Sequence, residues 1–241
     1  MTREIRSSAR GDTTSAPSRD DEFAAQLRGL GPVGVLAILV IVLAGNLSAG
    51  GFLIPAGALL VLAWARLSHT PWREIGYSHP RNWIVTVVAG LLLGIALKLI
   101  SKAVVLPLLG ADPVNQTYHY LAGNRALIPA TLWTMLIVGF AEETVFRGFL
   151  FERLGRILGA SRRARVVIVL ITSVLFGAAH YVSQGLTGVE QATLVGLAYG
   201  AMFAATGNLW MPIIAHSAFD LTAYGLIYWN LEADVANLIF G

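Results

Sequence analysis

Six ionisable side chains interrupt apolar stretches in the second half of this 241-residue chain. They are Glu142, Glu143, Arg147, His180, His216 and Asp220. A carboxylate can take a proton from an attacking water, and nearby hydrogen-bond donors can stabilise the oxyanion that forms. The set therefore contains what hydrolysis of a peptide bond requires, and it also contains the ligand types of a zinc site.

The two adjacent glutamates are predicted to do different work. Glu143 and Arg147 are four residues apart, so they share a helix face and can form an ion pair. Glu142 points about 100° away from that face. We therefore predict that Arg147 holds Glu143 as a structural partner and that Glu142 projects into a cavity as the general base.

The two histidines lie on separate apolar segments and can converge on the same cavity. His216 and Asp220 are four residues apart, which predicts that Asp220 accepts the imidazole N–H and fixes its tautomer. The second ring nitrogen of His216 is then left for the reaction. Taken alone, a histidine such as His180 near the end of a span is more often an interfacial or hydrogen-bonded residue than a ligand.

The composition is that of a membrane protein. Hydrophobic residues make up 56% of the chain and charged residues 13%, with a mean hydropathy of +0.66. The sequence contains no cysteine, which excludes disulfides and cysteine nucleophiles. The formal net charge of +3 comes with basic residues in short patches, which indicates contact with lipid headgroups and not with nucleic acid.

The apolar residues form runs of about twenty, the length that an α-helix needs to cross about 30 Å of hydrocarbon. The predicted fold is all-α, a polytopic membrane bundle of about seven transmembrane helices with a catalytic cavity among the last four. The predicted spans are residues 30–48, 51–67, 83–107, 127–151, 165–182, 189–206 and 208–230.

Two regions are predicted. Residues 1–29 are polar and mixed in charge, which favours a disordered cytoplasmic tail, and residues 30–241 form the transmembrane helical domain. Basic loops after the second and fourth spans place the N-terminus in the cytoplasm and the C-terminus outside. Lys98 and Lys102 then fall on the outer side, so we expect the third span to stop near Leu97 and to continue as an interfacial segment with snorkelling lysines.

Two pairs of glycines have the spacing of close helix contacts. They are Gly90 with Gly94 and Gly196 with Gly200. Glycine at positions four apart lets two helix backbones approach each other closely within a membrane. These pairs predict where helices pack, and they carry no chemistry.

Three motifs, in this order, resemble those of the CPBP family of intramembrane proteases. They are Glu-Glu-x-x-x-Arg in "EETVFR", Phe-x-x-x-His in "FGAAH" and His-x-x-x-Asp in "HSAFD". The family includes CAAX-processing enzymes of the Rce1 type, bacteriocin-processing and immunity proteins, and bacterial abortive-infection homologues. The resemblance covers about residues 127–230, the protease core of the chain.

The resemblance implies a role for each motif. Glu142 with His180 would activate the attacking water, and His216 with Asp220 would stabilise the oxyanion. The remaining two charged residues of the first motif would organise the site. Asp220 departs from the eukaryotic members, which have an asparagine there. Either Asp220 is protonated, or it acts behind a positively charged His216, because an ionised carboxylate cannot donate a hydrogen bond.

The resemblance leaves two mechanisms, one without a metal ion and one with zinc. We favour a metal-free glutamate mechanism with no cofactor. The chain has no His-Glu-x-x-His helix of the zincin kind. If zinc is present, the expected ligands are Glu142, His180 and His216.

The sequence therefore predicts an intramembrane endopeptidase, an integral multi-pass protein of a bacterial plasma membrane. Its expected partners are the lipid bilayer and a membrane-associated protein or peptide substrate. The alternative is a transporter or a non-catalytic membrane interaction protein, in which the buried Glu, His and Asp form a proton or ion relay.

Overall fold

The structure is a computed structural model that describes residues 18–46 and 54–240, and in these ranges every regular element is a helix. The α-helices are α1 (Arg19–Arg28), α2 (Pro32–Asn46), α3 (Ile54–Leu67), α4 (Trp83–Ile100), α5 (Leu106–Leu108), α6 (Ile128–Glu143), α7 (Leu150–Leu158), α8 (Arg162–Ala179), α9 (Tyr181–Thr206), α10 (Trp210–Tyr228) and α11 (Glu232–Phe240). Short 3₁₀ segments cover Trp72–Ile75, Gln116–Leu121 and Arg125–Leu127. The predicted all-α class is confirmed for the described residues.

Two continuous helices are long and apolar enough to cross a membrane, Trp83–Leu108 and Arg125–Leu158. A third would be added if the bent pair of α1 and α2, with an angle of 59° between them, forms one span. The predicted count of seven spans is not confirmed. Helix α8 shows why, because its 18 residues include Arg162, Arg163 and Arg165 near its start.

Helix α1 contradicts part of the predicted tail, because Arg19–Arg28 are helical. Ser18 begins the helix with a reciprocal cap, in which its hydroxyl accepts from the Asp21 N–H and its own N–H donates to the Asp21 carboxylate, both at 3.2 Å. The indole N–H of Trp64 donates to the Leu27 carbonyl at 3.0 Å and ties the end of α1 to α3. The rest of the predicted tail lies outside the described residues.

The two lysines of the third predicted span are buried and do not snorkel. Lys98 and Lys102 are 9% and 4% exposed, and the helix continues through Leu108 by way of a π-helical segment. Lys102 Nζ lies 3.2 Å from Glu232 Oε1, because α11 packs against that segment. The prediction that the span stops near Leu97 is therefore wrong. The negative charge that pairs with Lys102 comes from Glu232, on α11. Sequence spacing does not predict this contact.

We expect Lys102→Met to lower the free energy of unfolding by about 3–5 kcal/mol, because it leaves the buried Glu232 carboxylate without its cation. The measurement is unfolding of the purified protein in detergent micelles. The double variant with Glu232→Gln removes both charges and should recover most of the loss. If Lys102→Met were as stable as the wild type, the ion pair would not support the fold.

Close backbone packing sets the position of α10. A Cβ atom on Gly94 would lie 2.1 Å from the Ala215 carbonyl oxygen, and one on Gly90 would lie 2.9 Å from the Ile214 side chain. The second glycine pair packs α9 against α8 in the same way. Both predicted pairs are therefore helix contacts. The contact of α4 with Ala215 fixes the backbone beside the next residue, His216.

Candidate active site

The first motif lies where α6 continues into a π-helical segment, Thr144–Phe149. A π-helical turn is wider than an α-helical turn, and such segments are frequent at functional sites. Glu143 and Arg147 have fully buried side chains, whereas the side chain of Glu142 keeps 20% exposure. The two glutamates thus have different surroundings, as their positions on the helix predict.

Glu143 is the centre of the buried polar contacts. Arg147 Nη1 donates to Glu143 Oε1 at 2.8 Å, and Arg147 Nη2 donates to the Gly196 carbonyl at 3.2 Å. His216 Nδ1 lies 2.8 Å from the same Glu143 oxygen. Because an ionised carboxylate only accepts, Nδ1 carries the proton in this hydrogen bond. One carboxylate therefore holds Arg147 and also orients the imidazole.

Asp220 does not hold His216 in the way that its spacing predicts. Asp220 Oδ2 lies 3.6 Å from Nε2 of His216, beyond hydrogen-bond distance, and Nδ1 is bonded to Glu143. The prediction that Asp220 fixes the tautomer is therefore wrong. Four-residue spacing makes the contact possible, but α6 brings a nearer acceptor to the ring. Glu142 Oε2 also faces Nε2, at 3.7 Å.

His180 ends α8 and precedes α9. Its Nδ1 lies 2.8 Å from the Phe176 carbonyl oxygen, so Nδ1 donates and Nε2 stays available. The Phe176 ring packs against both imidazoles, with centroid distances of 4.8 Å to His180 and 5.8 Å to His216. Among the residues that the structure describes, no hydrogen bond or ion pair joins His180 to Glu142. Their joint action on a water stays a prediction.

Tyr199 is a site residue that sequence reasoning missed. Its fully buried ring lies 5.4 Å from the His216 ring, and its hydroxyl donates to the Ala215 carbonyl at 3.3 Å. The Arg147 guanidinium lies 5.7 Å from the Tyr199 ring centroid and 4.5 Å from that of Phe176. The signal in the sequence is one tyrosine in the apolar part of α9, directly before the second glycine of its pair.

A tyrosine from the loop before α4 supports the π-helical segment. Tyr77 and Thr144 share a hydrogen bond of 2.6 Å between their hydroxyls, and the Thr144 hydroxyl donates to the Phe140 carbonyl, also at 2.6 Å. Tyr77 is then the donor to Thr144. Burial raises the pKa of Tyr77 to about 12, so its hydroxyl keeps that proton at neutral pH. This contact anchors the residue that follows Glu143.

The expected zinc ligands do not form a metal site in this arrangement. Within the described ranges, no three His, Asp or Glu side chains converge as a set of metal ligands. Nδ1 of His216 is bonded to Glu143, and Nδ1 of His180 to a backbone carbonyl. The Phe176 ring packs against both imidazoles. The cofactor-free mechanism stays a prediction.

Comparison with known proteins agrees with the motifs. Residues 124–222 match the family model described as type II CAAX prenyl endopeptidase Rce1-like. This segment contains all three motifs, and the resemblance to this protease family is confirmed over its length. The apolar helices and the matched segment are those of an integral membrane protein.

Two curated relatives are themselves uncharacterized. A 24.3 kDa protein of Escherichia coli is 31% identical over 148 residues, which cover 61% of this chain and 63% of the relative. The protein YpbD of Bacillus subtilis (strain 168) is 32% identical over 99 residues, which cover 40% of this chain and 45% of the relative. The matches span less than two thirds of either relative. No solved structure matches the chain.

Proposed function

We propose that the chain, with its Rce1-like segment at residues 124–222, is an intramembrane endopeptidase that hydrolyses a peptide bond of a membrane-associated protein or peptide. The observation that carries the proposal is a carboxylate oxygen that accepts no hydrogen bond and faces an oriented imidazole. Glu142 Oε2 is buried without a hydrogen-bond partner among the described residues, and it faces Nε2 of His216 at 3.7 Å.

Glu142 is the proposed general base. It removes a proton from a water molecule while the water oxygen attacks the carbonyl carbon of the scissile bond. The protonated Glu142 then gives this proton to the leaving nitrogen as the C–N bond breaks. His180, with Nε2 free, is the proposed second contact of the water, a role that the family resemblance implies.

His216 is the proposed donor to the oxyanion. In its doubly protonated form it donates from Nδ1 to Glu143 and from Nε2 to the negatively charged oxygen of the tetrahedral intermediate. The carboxylates of Glu142, Glu143 and Asp220 surround the ring, and nearby negative charge stabilises this imidazolium form. Asp220 then acts behind a charged imidazole, which is the second of the two alternatives for its role.

We expect His180→Ala to lower kcat by about 10²- to 10⁴-fold, because the water loses one of its two contacts. The protein is reconstituted into liposomes with a library of membrane-associated peptides, and the products are identified by mass spectrometry. His119→Ala is the matched control, since His119 is exposed in a 3₁₀ segment and belongs to none of the three motifs. Equal activity of both variants would remove His180 from the mechanism.

The same liposomes decide between the two function classes. Cleavage that is lost on Glu142→Ala and on His180→Ala supports the endopeptidase. Proton-coupled uptake by the wild type, with no cleavage of any peptide in the library, would support the transporter. Comparison of terminal peptides in membranes of cells that carry the wild type or Glu142→Ala would then identify the natural substrate.

A further inference from the structure

Lys98 is a buried ammonium group without a direct anionic partner. It is 9% exposed, and it forms no ion pair or side-chain hydrogen bond with any residue that the structure describes. Its Nζ lies 5.0 Å from the ring centroid of Phe219. A cation–π contact offsets only part of the cost of removing an ammonium group from water. An additional anion near Lys98 would offset this deficit.

The neighbouring lysine, Lys102, has the direct carboxylate partner that Lys98 lacks. Lys102 lies one turn further along the same helix and contacts Glu232 at 3.2 Å. The Glu232 carboxylate also accepts the Asn115 N–H at 3.3 Å. Glu232 and Asp220 attract Lys98 through space, but neither lies within ion-pair distance. Of these two buried lysines, only Lys102 therefore has a directly bound carboxylate.

A chain of contacts leads from Lys98 to the candidate active site. Phe219, under the ammonium group, directly precedes Asp220 and packs in one cluster with Tyr199 and Ala215. Tyr199 in turn contacts the His216 ring. Helix α4 thus presents its unpaired cation beside the segment of α10 that carries the third motif.

We propose that Lys98 binds a carboxylate of the peptide substrate, an inference that rests on the proposed endopeptidase function. Lys98 is then a specificity-determining residue, and the substrate class is a peptide with a carboxylate close to its scissile bond. An ammonium group and a carboxylate form a strong, charge-assisted hydrogen bond when both are removed from water. A peptide supplies such a group from two sources, its free C-terminus or an Asp or Glu side chain.

The first arm of the test needs only the wild-type protein in liposomes. A cleaved peptide is compared with its C-terminal amide, and with versions in which Asp or Glu is replaced by Asn or Gln. We expect KM to rise by about tenfold for one of these neutral peptides, and the identity of that peptide names the source of the carboxylate. Equal KM values for all acidic and neutral peptides would overturn the proposal.

The second arm uses Lys98→Met, which keeps the chain length and removes the charge. We expect it to raise KM about tenfold for the acidic peptide and to leave KM and kcat for the neutral peptide near wild-type values, whereas Lys98→Arg keeps the preference. Arg125→Met is the control, since it removes an exposed cation elsewhere. If Lys98 only balances Asp220, Lys98→Met lowers kcat for every peptide alike, and the proposal is overturned.

The outcomes also separate the two proposals. Cleavage that depends on Glu142 but shows no preference for a carboxylate overturns the role of Lys98 and keeps the endopeptidase. The absence of cleavage of every peptide by the wild type overturns both. If Lys98→Met does not fold, the wild-type comparison of acidic and neutral peptides still decides the question.

Discussion

Glu142→Gln is expected to lower kcat for peptide cleavage by about 10²- to 10⁴-fold without weakening the fold. Glutamine has the same shape as glutamate, but its amide cannot take a proton from water. Glu142 Oε2 has no hydrogen-bond partner among the described residues, so the substitution breaks no hydrogen bond at that oxygen and removes only the longer charge contact with Nε2 of His216 at 3.7 Å. The measurements are kcat in liposomes and the midpoint of thermal unfolding in detergent.

The control for this variant is Glu190→Gln on α9. Glu190 is partly exposed within a long helix and belongs to none of the three motifs. It should keep wild-type kcat and wild-type stability. If Glu142→Gln retained more than half of the wild-type kcat, Glu142 would not be the base, and the mechanism proposed above would fail.

Glu143→Gln is expected to damage stability and activity together. The change leaves Arg147 buried without its carboxylate, which typically lowers the free energy of unfolding by about 3–5 kcal/mol. It also weakens the acceptor that orients Nδ1 of His216 at 2.8 Å. We therefore expect a lower unfolding midpoint in detergent and a lower kcat in liposomes than for the wild type.

A second variant separates these two effects. Adding Arg147→Met to Glu143→Gln removes both buried charges and should restore much of the stability, because no isolated charge remains. Activity should stay low, since His216 still lacks its carboxylate. If Glu143→Gln alone folds normally and loses more kcat than Glu142→Gln, the roles of the two glutamates must be exchanged.

Local spacing predicted the parts of this protein that depend on one helix. The ion pair of Glu143 with Arg147 follows from their separation of four residues, and the structure contains it. The helical class and the approximate positions of the longer apolar helices follow from the apolar runs, whereas α1 and α11 do not. The glycine pairs also predicted real contacts, because small residues at this spacing have few other uses in a membrane helix.

Spacing within one helix could not predict the contacts between helices. Glu143 and His216 are 73 positions apart, and Lys102 and Glu232 are 130 apart, so their pairing depends on how whole helices are rotated and packed. Asp220 shows the consequence, since it was assigned to the imidazole N–H on spacing alone and a nearer carboxylate holds that group. Spacing within one helix shows which side chains can contact each other. It does not show whether a side chain from another helix lies closer.

The contacts of the Glu143 carboxylate affect how the protein unfolds. With Arg147 it joins α6 to the α9 backbone at Gly196, and with His216 it joins α6 to α10. None of these three helices can detach without leaving a buried charge or a polar group uncompensated. We therefore expect them to open as one cooperative unit in hydrogen exchange, and we expect the candidate active-site geometry to be lost on heating when that unit unfolds.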